Sequence, residues 1–302
     1  MPSQILFFDQ PRSGSHMLLR MLTERQTHVK VLERLFSESR GPQIAWLQSA
    51  DFSDGVDPQV REQWSQGIGK GLLQWRNANQ EVEKNGHSLL IFCHAFFPVA
   101  PETILQYLKN ISTPSPTSEN FTVVPDELLL TANTKLLLSI RDPRLAVPSA
   151  YRTLAKMSLS GGGGRPNYLV TTNLVWSRVM YDFFQAQGRL TYVVDFDSLA
   201  NPAYVRTLAS TLGLDPTNVA TMWAAATPDE LHKTHPMYYA SQSTLIQSSG
   251  FISGKMAKGV NFAEVERKWQ DEFGEDAALV KEMVELTMPH YHYLYERHWQ
   301  PV

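Results

Sequence analysis

The chain has 302 residues, of which 43% are hydrophobic and 19% charged, and its formal net charge at pH 7 is −3. These values are typical of a soluble globular protein with a large core, and they give no reason to expect nucleic acid or an anionic membrane as a partner. The single cysteine, Cys93, excludes an internal disulfide and a cysteine-based metal cluster. No apolar run reaches the roughly eighteen residues of a membrane span, and a signal peptide is missing, so we expect a cytoplasmic protein.

The first twenty residues predict a strand, a tight loop and a helix. The apolar run Ile5–Phe8 stops at Asp9, and the loop of residues 11–16, with the sequence Pro-Arg-Ser-Gly-Ser-His, leads into a helical pattern that continues over residues 17–36. Three roles are open for Asp9: steering an acceptor, holding Arg12, or capping the helix.

The loop has the chemistry of a phosphate site. Gly14 allows a tight turn, Ser13 and Ser15 supply hydroxyl groups, and Arg12 adds a fixed positive charge. His16 begins the helix, whose first N–H groups point into the loop. The spacing differs from a Walker A loop, which ends in Lys-[Ser/Thr], and an ordinary strand-to-helix turn with a serine cap is the alternative interpretation.

Helical and strand patterns alternate through most of the remaining chain. Further strands are predicted at 88–93, 134–140 and 190–196, and helices at 59–84, 102–109, after residue 143, and at 167–187, 202–212, 216–226, 261–273 and 275–287. This order predicts parallel βαβ units. We therefore expect one domain over residues 1–302, a three-layer α/β/α structure with a central parallel sheet of about five strands.

Two segments break the alternation and are predicted to be flexible, exposed loops. One is rich in Ser, Thr and Pro at about residues 112–125, and the other, at about 158–167, contains four consecutive glycines. The closing residues 290–293, His-Tyr-His-Tyr, have a composition that suits metal, but Pro289 and the aromatic spacing favour a packed tail.

Candidate functional residues follow three of the predicted strands. Arg12 follows the first strand, and His94 follows the apolar run 88–93. Arg141 follows the run 134–140, and Ser149 lies eight residues further on, in the next helix. Ligands of open parallel sheets bind at these strand ends. The structural alternatives are a buried histidine at His94, an ion pair between Arg141 and Asp142, and a surface hydroxyl at Ser149.

In this constellation the chain resembles the sulfotransferases that use 3′-phosphoadenosine 5′-phosphosulfate (PAPS), which have a P-loop NTPase-like fold. The residues that carry the resemblance are the loop 11–15, His94 with Pro98, the run from Arg141 to Tyr151, and Phe196–Leu199. The resemblance is good from residue 4 to about 214. Beyond that it is faint, and either Lys255 or Lys258 occupies the place of a basic segment that clasps the 3′-phosphate.

The resemblance implies a role for each matched residue. The 5′-phosphosulfate binds the loop residues, which are Arg12, Ser13, Gly14, Ser15 and His16, and the 3′-phosphate binds Arg141, Ser149 and Lys255. His94 is the catalytic base, and Arg12 acts beside it on the leaving group. The chain departs from the family pattern at His16 and Met17, at Phe92 where relatives have a lysine, and at Phe196 in place of a tyrosine.

The expected activity is sulfonate transfer from PAPS to a hydroxyl or phenol group of a small molecule, without a metal and with 3′,5′-adenosine bisphosphate (PAP) as the product. A specialised metabolite is the favoured acceptor, and its sulfate ester is either the product or a leaving group for elimination or cyclisation. The alternatives are a P-loop kinase or nucleotide hydrolase, which would require magnesium, and a non-catalytic relative. The sequence does not decide between a monomer and a homodimer.

Overall fold

A sheet of five parallel strands forms the centre of the computed structural model, which describes residues 3–48, 56–111, 119–156, 164–234 and 236–301. The strand order is β2-β3-β1-β4-β5. The strands are β1 (Gln4–Asp9), β2 (Val29–Glu33), β3 (Ser88–His94), β4 (Thr134–Ile140) and β5 (Leu190–Asp195). The predicted α/β class, with a sheet of about five parallel strands, is confirmed.

Helices cover both faces of this sheet and complete three layers. The helices of the described residues are α1 (Ser15–Thr23), α2 (Arg40–Gln48), α3 (Pro58–Asn85), α4 (Pro101–Asn110), α5 (Asp126–Leu129), α6 (Pro143–Lys156), α7 (Gly164–Thr171), α8 (Val175–Ala186), α9 (Pro202–Leu212), α10 (Pro228–Lys233), α11 (Pro236–Ile246), α12 (Phe262–Phe273) and α13 (Ala277–Tyr295).

Successive residues of β1 enter two different cores. Ile5 and Phe7 pack in the core with α1 and α9, whereas Leu6 and Phe8 pack in the core with α3, α8 and α13. All four side chains have no exposed area. Because both faces of the strand are covered, its sequence is a continuous apolar run and does not alternate with polar residues.

The prediction of a helix through residues 17–36 is wrong beyond Thr23. Helix α1 ends there, and Val29–Glu33 forms the edge strand β2, which pairs with β3 in parallel register. The β-branched residues Val29 and Val31 pack on the core that contains α1. Without β2, the backbone N–H and C=O groups along the outer edge of β3 would have no partner, and this favours a strand at residues 29–33. The local sequence pattern does not show this need for a partner strand.

The single helix predicted over residues 167–187 is two helices, α7 and α8. They separate at Asn173, whose side chain accepts a hydrogen bond from the backbone N–H of Val175 at 2.9 Å. The N–H of Leu174 donates to the hydroxyl of Thr287 on α13 at 2.7 Å. Capping by Asn173 and the bond to α13 therefore replace the continuous ladder that the periodicity predicted.

The two predicted loops lie partly outside the described residues, at 112–118 and 157–163. Of the first, the described part is held to the protein, since Val124 is buried and Thr122 forms a bridge with Val99. Of the second, Gly164 to Asn167 form the first turn of α7. The described part of the first segment is a loop, as predicted, but most of it is partly buried and not exposed. In the second segment the described residues are helical, because they pack as the first turn of α7.

The C-terminal third also differs from the prediction. The helix expected at 216–226 is only a 3₁₀ turn, Pro216–Asn218, and helices α10 and α11 were not expected. Helix α12 is confirmed, and α13 continues beyond residue 287 through Pro289 to Tyr295. His290 and Tyr291 are buried in it, which confirms the packed tail.

Candidate active site

The register of β1 and β3 places Asp9 beside His94. The two residues are direct partners across the sheet, and Nδ1 of His94 lies 2.6 Å from Oδ1 of Asp9. The hydroxyl of Ser15 donates to the other oxygen of Asp9. The Asp9 side chain is 1% exposed and that of His94 is 27% exposed. With Nδ1–H donating to the carboxylate, Nε2 of His94 is left for other chemistry.

The loop between β1 and α1 turns through left-handed backbone at two residues, Arg12 with φ 73° and Gly14 with φ 86°. A Cβ added to Gly14 would stand 2.2 Å from the ring of Phe196, so this position requires glycine. The hydroxyl of Ser13 lies 2.7 Å from that of Ser139 on β4. The loop is thus held against two other strand ends, and the first N–H groups of α1 face it.

Two arginines connect this loop to distant parts of the chain. Nε of Arg12 donates to the hydroxyl of Ser149 at 3.0 Å, and its Nη1 donates to the carbonyl of Ser241 on α11. Arg141, which follows β4, donates to the carbonyl of Arg12 at 3.3 Å and to the carbonyl of Lys255 at 2.6 Å. The structure therefore brings together Arg12, Arg141, Ser149 and Lys255, which the sequence analysis named as one set.

These cations form no close ion pair in the described parts of the chain, although the carboxylates of Asp197, Asp142 and Asp195 act on Arg141 from a greater distance. Within the described residues no carboxylate forms an ion pair with Arg12, Arg141 or Lys255. Burial, followed by the charge of Arg12, lowers the pKa of Arg141 to about 10. Burial and then neighbouring cations also lower the pKa values of Arg12 and Lys255. Cations that destabilise one another in this way form a site for a multiply charged anion.

The cations line a small cavity of about 100 Å³ together with Gly14, Ser15 and Phe196. Lys255, and not Lys258, lines it. The segment that carries Lys255 is fixed by Asp197, whose carboxylate accepts the backbone N–H groups of Ala257 at 2.9 Å and Lys258 at 2.8 Å.

A second cavity of about 410 Å³ adjoins the first and contains His94. Three phenylalanines, Phe92, Phe96 and Phe97, supply much of its apolar lining. Both cavities are lined by the same four residues, Arg12, His16, Ser241 and Gln242. A cationic cavity and a larger, partly apolar cavity thus meet beside His94. A negatively charged donor in the first could react there with a molecule bound in the second.

His16 lies at the boundary between the two cavities, with its ring edge on Phe92 at 4.8 Å between centroids. Burial lowers the pKa of His16 to about 4, so its ring is neutral at pH 7. The side-chain nitrogen of Gln242 lies 3.2 Å from its Nδ1. His16 therefore contributes shape and hydrogen bonding to the site, and no positive charge.

The sequence analysis missed the function of three parts of this site. It weighed Asp9 for other roles and not as the partner of His94, although the parallel register of two strand ends indicates that pairing. It did not name Ser241 and Gln242 individually, although both lie in the apolar and aromatic segment around 235–251 that suits the lining of an acceptor pocket. It also left out Arg34 and Arg40, which line the larger cavity.

Two further properties of the protein concern metal binding and membrane spanning. Among the described residues, no group of three or more His, Cys, Asp or Glu side chains could hold a metal ion. In the same parts of the chain, every helix is too short or too polar to cross a bilayer.

Comparison with known proteins identifies the family. No protein-family model matches the chain. The sulfotransferase ppzF of Metarhizium rileyi is 28% identical to it over 98% of this chain and 96% of the relative. The sulfotransferase ppzF of Metarhizium majus is 31% identical over 72% of each chain. These two relatives, one of them matched over almost its whole length, show that this chain belongs to the sulfotransferase family.

Proposed function

We propose that this protein transfers the sulfonate group of PAPS to a hydroxyl group of a small molecule, with His94 as the general base and no metal ion. The observation that carries the proposal is the meeting of two cavities at Arg12. One is lined by cations that form no ion pair within the described residues, and the other contains His94 among aromatic rings.

The small cavity suits the two phosphate groups of the donor. We assign the 5′-phosphosulfate to Arg12 and the backbone N–H groups of Ser15 and His16 at the start of α1, since the hydroxyl of Ser15 is used by Asp9. We assign the 3′-phosphate to Arg141, Ser149 and Lys255. A donor with separate negative groups would form the direct ion pairs that these cations do not make within the described residues, and an arginine can bind phosphate with two parallel hydrogen bonds.

The larger cavity suits the acceptor. Its volume of about 410 Å³ lies in the range of sites for small molecules, and its three phenylalanine rings favour a partly apolar compound. A specialised metabolite with an alcohol or phenol group is the acceptor that we favour.

His94 would act on the acceptor hydroxyl, and Arg12 would act on the leaving phosphate. Nε2 of His94 takes the hydroxyl proton as the acceptor oxygen forms its bond to sulfur and the bond from sulfur to the phosphate oxygen breaks. Arg12 and the loop N–H groups stabilise the charge that develops on that phosphate oxygen, so PAP leaves as the product. Asp9 holds the His94 ring and stabilises it when it is protonated.

The first test is a calorimetric titration of the protein with PAP in the presence of EDTA, and in parallel with ATP and magnesium. We expect PAP to bind without metal, and we expect Arg141→Ala to weaken this binding by at least about tenfold, because a charged contact to phosphate is lost.

Arg144→Ala is the matched control, because Arg144 lies on the same turn and bonds to Asp142, so its loss should leave PAP binding unchanged. Binding of ATP with magnesium in preference to PAP would contradict the proposed donor and favour a kinase or nucleotide hydrolase. Binding of neither ligand would contradict the assignment of the small cavity.

A further inference from the structure

The cavity that contains His94 has a second group of cations that the proposed transfer does not use. Arg34 follows the edge strand β2, and Arg40 begins α2, and both line this cavity with Ser37. Arg34 has a left-handed backbone with φ 58°, a conformation that a residue other than glycine rarely adopts. Residues in such conformations cluster at ligand sites, where the surrounding structure holds them.

Arg40 is partly buried and carries its charge among neutral partners. Its Nη1 donates to Oε1 of Gln43 at 3.0 Å, and its Nη2 donates to Oδ1 of Asn167 at 2.9 Å. Burial lowers the pKa of Arg40 to about 10, so the guanidinium remains protonated at neutral pH. Within the described residues no carboxylate forms an ion pair with it. A partly buried guanidinium that has no ion-pair partner among the described residues is stabilised when an anion binds it.

A phenylalanine connects this guanidinium to the base. The ring of Phe96 stacks on His94 at 5.5 Å between centroids, and the guanidinium carbon of Arg40 lies 5.2 Å from the centre of the same ring. His94, Phe96 and Arg40 all line the same cavity. The cavity thus combines the histidine, apolar rings and a guanidinium.

We propose that the acceptor carries a carboxylate, which binds Arg40 while its hydroxyl group lies at Nε2 of His94. Arg34 adds a second positive charge to the lining of the same cavity. A planar carboxylate matches the edge of a guanidinium, and it would provide the negative charge that the described surroundings of Arg40 lack. This inference rests on the proposed function and narrows it from any small hydroxyl compound to hydroxy acids.

The test uses matched pairs of probes with the protein saturated in PAP. The acids are 4-hydroxybenzoate, 4-hydroxyphenylacetate and 3-(4-hydroxyphenyl)propanoate, and each is compared with its primary amide by calorimetric titration. We expect at least one acid to bind about tenfold or more tightly than its amide. We expect Arg40→Gln to remove this preference and Arg40→Lys to retain part of it.

Arg165→Gln is the control, because Arg165 lies on α7 near Asn167 but pairs with Glu282 on the surface, and its loss should not change the preference. PAP affinity and melting temperature, measured for each variant, report the fold and the nucleotide site separately. A series in which no acid binds more tightly than its amide overturns the proposal, and so does a preference that survives in Arg40→Gln. Failure of PAP to bind would instead count against the proposed function.

Discussion

Asp9 connects two parts of the candidate site through one buried carboxylate. One oxygen accepts from His94 on β3, and the other accepts the hydroxyl of Ser15 at the start of α1. The first contact sets which nitrogen of His94 faces the cavity, and the second fixes the loop that we assign to the phosphosulfate. We therefore expect Asp9 to act as a positioning residue and to affect the rate of transfer more than the binding of either substrate.

Replacing His94 with alanine should lower kcat by about 10² to 10⁴-fold, the range for loss of a general base. Asp9→Asn should also lower kcat, with little change in the KM for PAPS, because the ring loses its orientation and its partner charge while the cations of the small cavity remain. The measurement is steady-state kinetics with release of PAP as the signal.

The double variant with both substitutions distinguishes this role from a general loss of structure. If Asp9 acts through His94, Asp9→Asn should have little further effect in the His94→Ala background. Multiplicative effects of the two substitutions would show that Asp9 acts independently, and a lowered PAP affinity in Asp9→Asn would show that it mainly supports the loop.

At the scale of elements, the small cationic cavity that we propose as the nucleotide site includes a segment far from the loop 11–16 in sequence. Residues 253–258, which include Lys255, lie against Arg141 because Arg141 donates to the carbonyl of Lys255. Asp197, just after β5, holds the other end of this segment through the N–H groups of Ala257 and Lys258. A strand end thus places a C-terminal cation at the cavity.

Asp197→Ala should weaken PAP binding by about tenfold and raise the KM for PAPS, with kcat changed little, because Lys255 loses its fixed position and His94 does not. Titration with PAP and steady-state kinetics provide the two readouts. Asp215→Ala is the control, since Asp215 is an exposed residue that accepts the N–H of Thr217 in its own turn at 2.8 Å. Equal effects of the two substitutions would contradict this role for Asp197.

At the scale of the whole molecule, the long helix α13 is tied to the sheet at a buried carboxylate. The hydroxyl of Tyr291 donates to Oδ1 of Asp195, the last residue of β5, at 3.2 Å. Burial, together with the charge of Asp197, raises the pKa of Asp195 to about 6, although its hydrogen bonds and His298 act in the opposite direction. The folded protein therefore holds the proton of Asp195 more tightly than the unfolded chain does.

This difference predicts a dependence of stability on pH. Between the unfolded pKa of about 3.9 and the folded value, the native state binds the additional proton, so the contribution of Asp195 to the free energy of unfolding decreases as pH rises. Asp195→Asn cannot ionise. Its stability relative to wild type should increase by about 2 kcal/mol between pH 4.5 and pH 7.5.

Urea unfolding at both pH values measures this difference, and comparison with wild type cancels the opposite contributions of His16 and His290, whose pKa values burial lowers to about 4. A relative stability that does not change with pH would show that Asp195 is ionised in the folded protein at low cost. That outcome would contradict a raised pKa for Asp195 at its contact with Tyr291 of α13.

The sequence by itself determined the fold class and the main cationic residues of the site. Continuous apolar runs predict strands that are buried on both faces, and loops such as 11–16 carry their conformational and chemical signals in adjacent residues. Parallel strands also end at one edge of the sheet, so Arg12, His94 and Arg141 could be placed together without a structure. These features depend on local composition and on one general rule of topology.

The tertiary structure alone decided the remaining features. Residues 29–33 form a strand that pairs with the edge of β3, although their local pattern suggested a helix. Packing of α11 against the loop brings Ser241 to Arg12, 229 residues away in sequence, and packing of α7 brings Asn167 to Arg40. Contacts of this kind follow from which apolar faces bury one another, and that is a property of the whole chain and not of any segment.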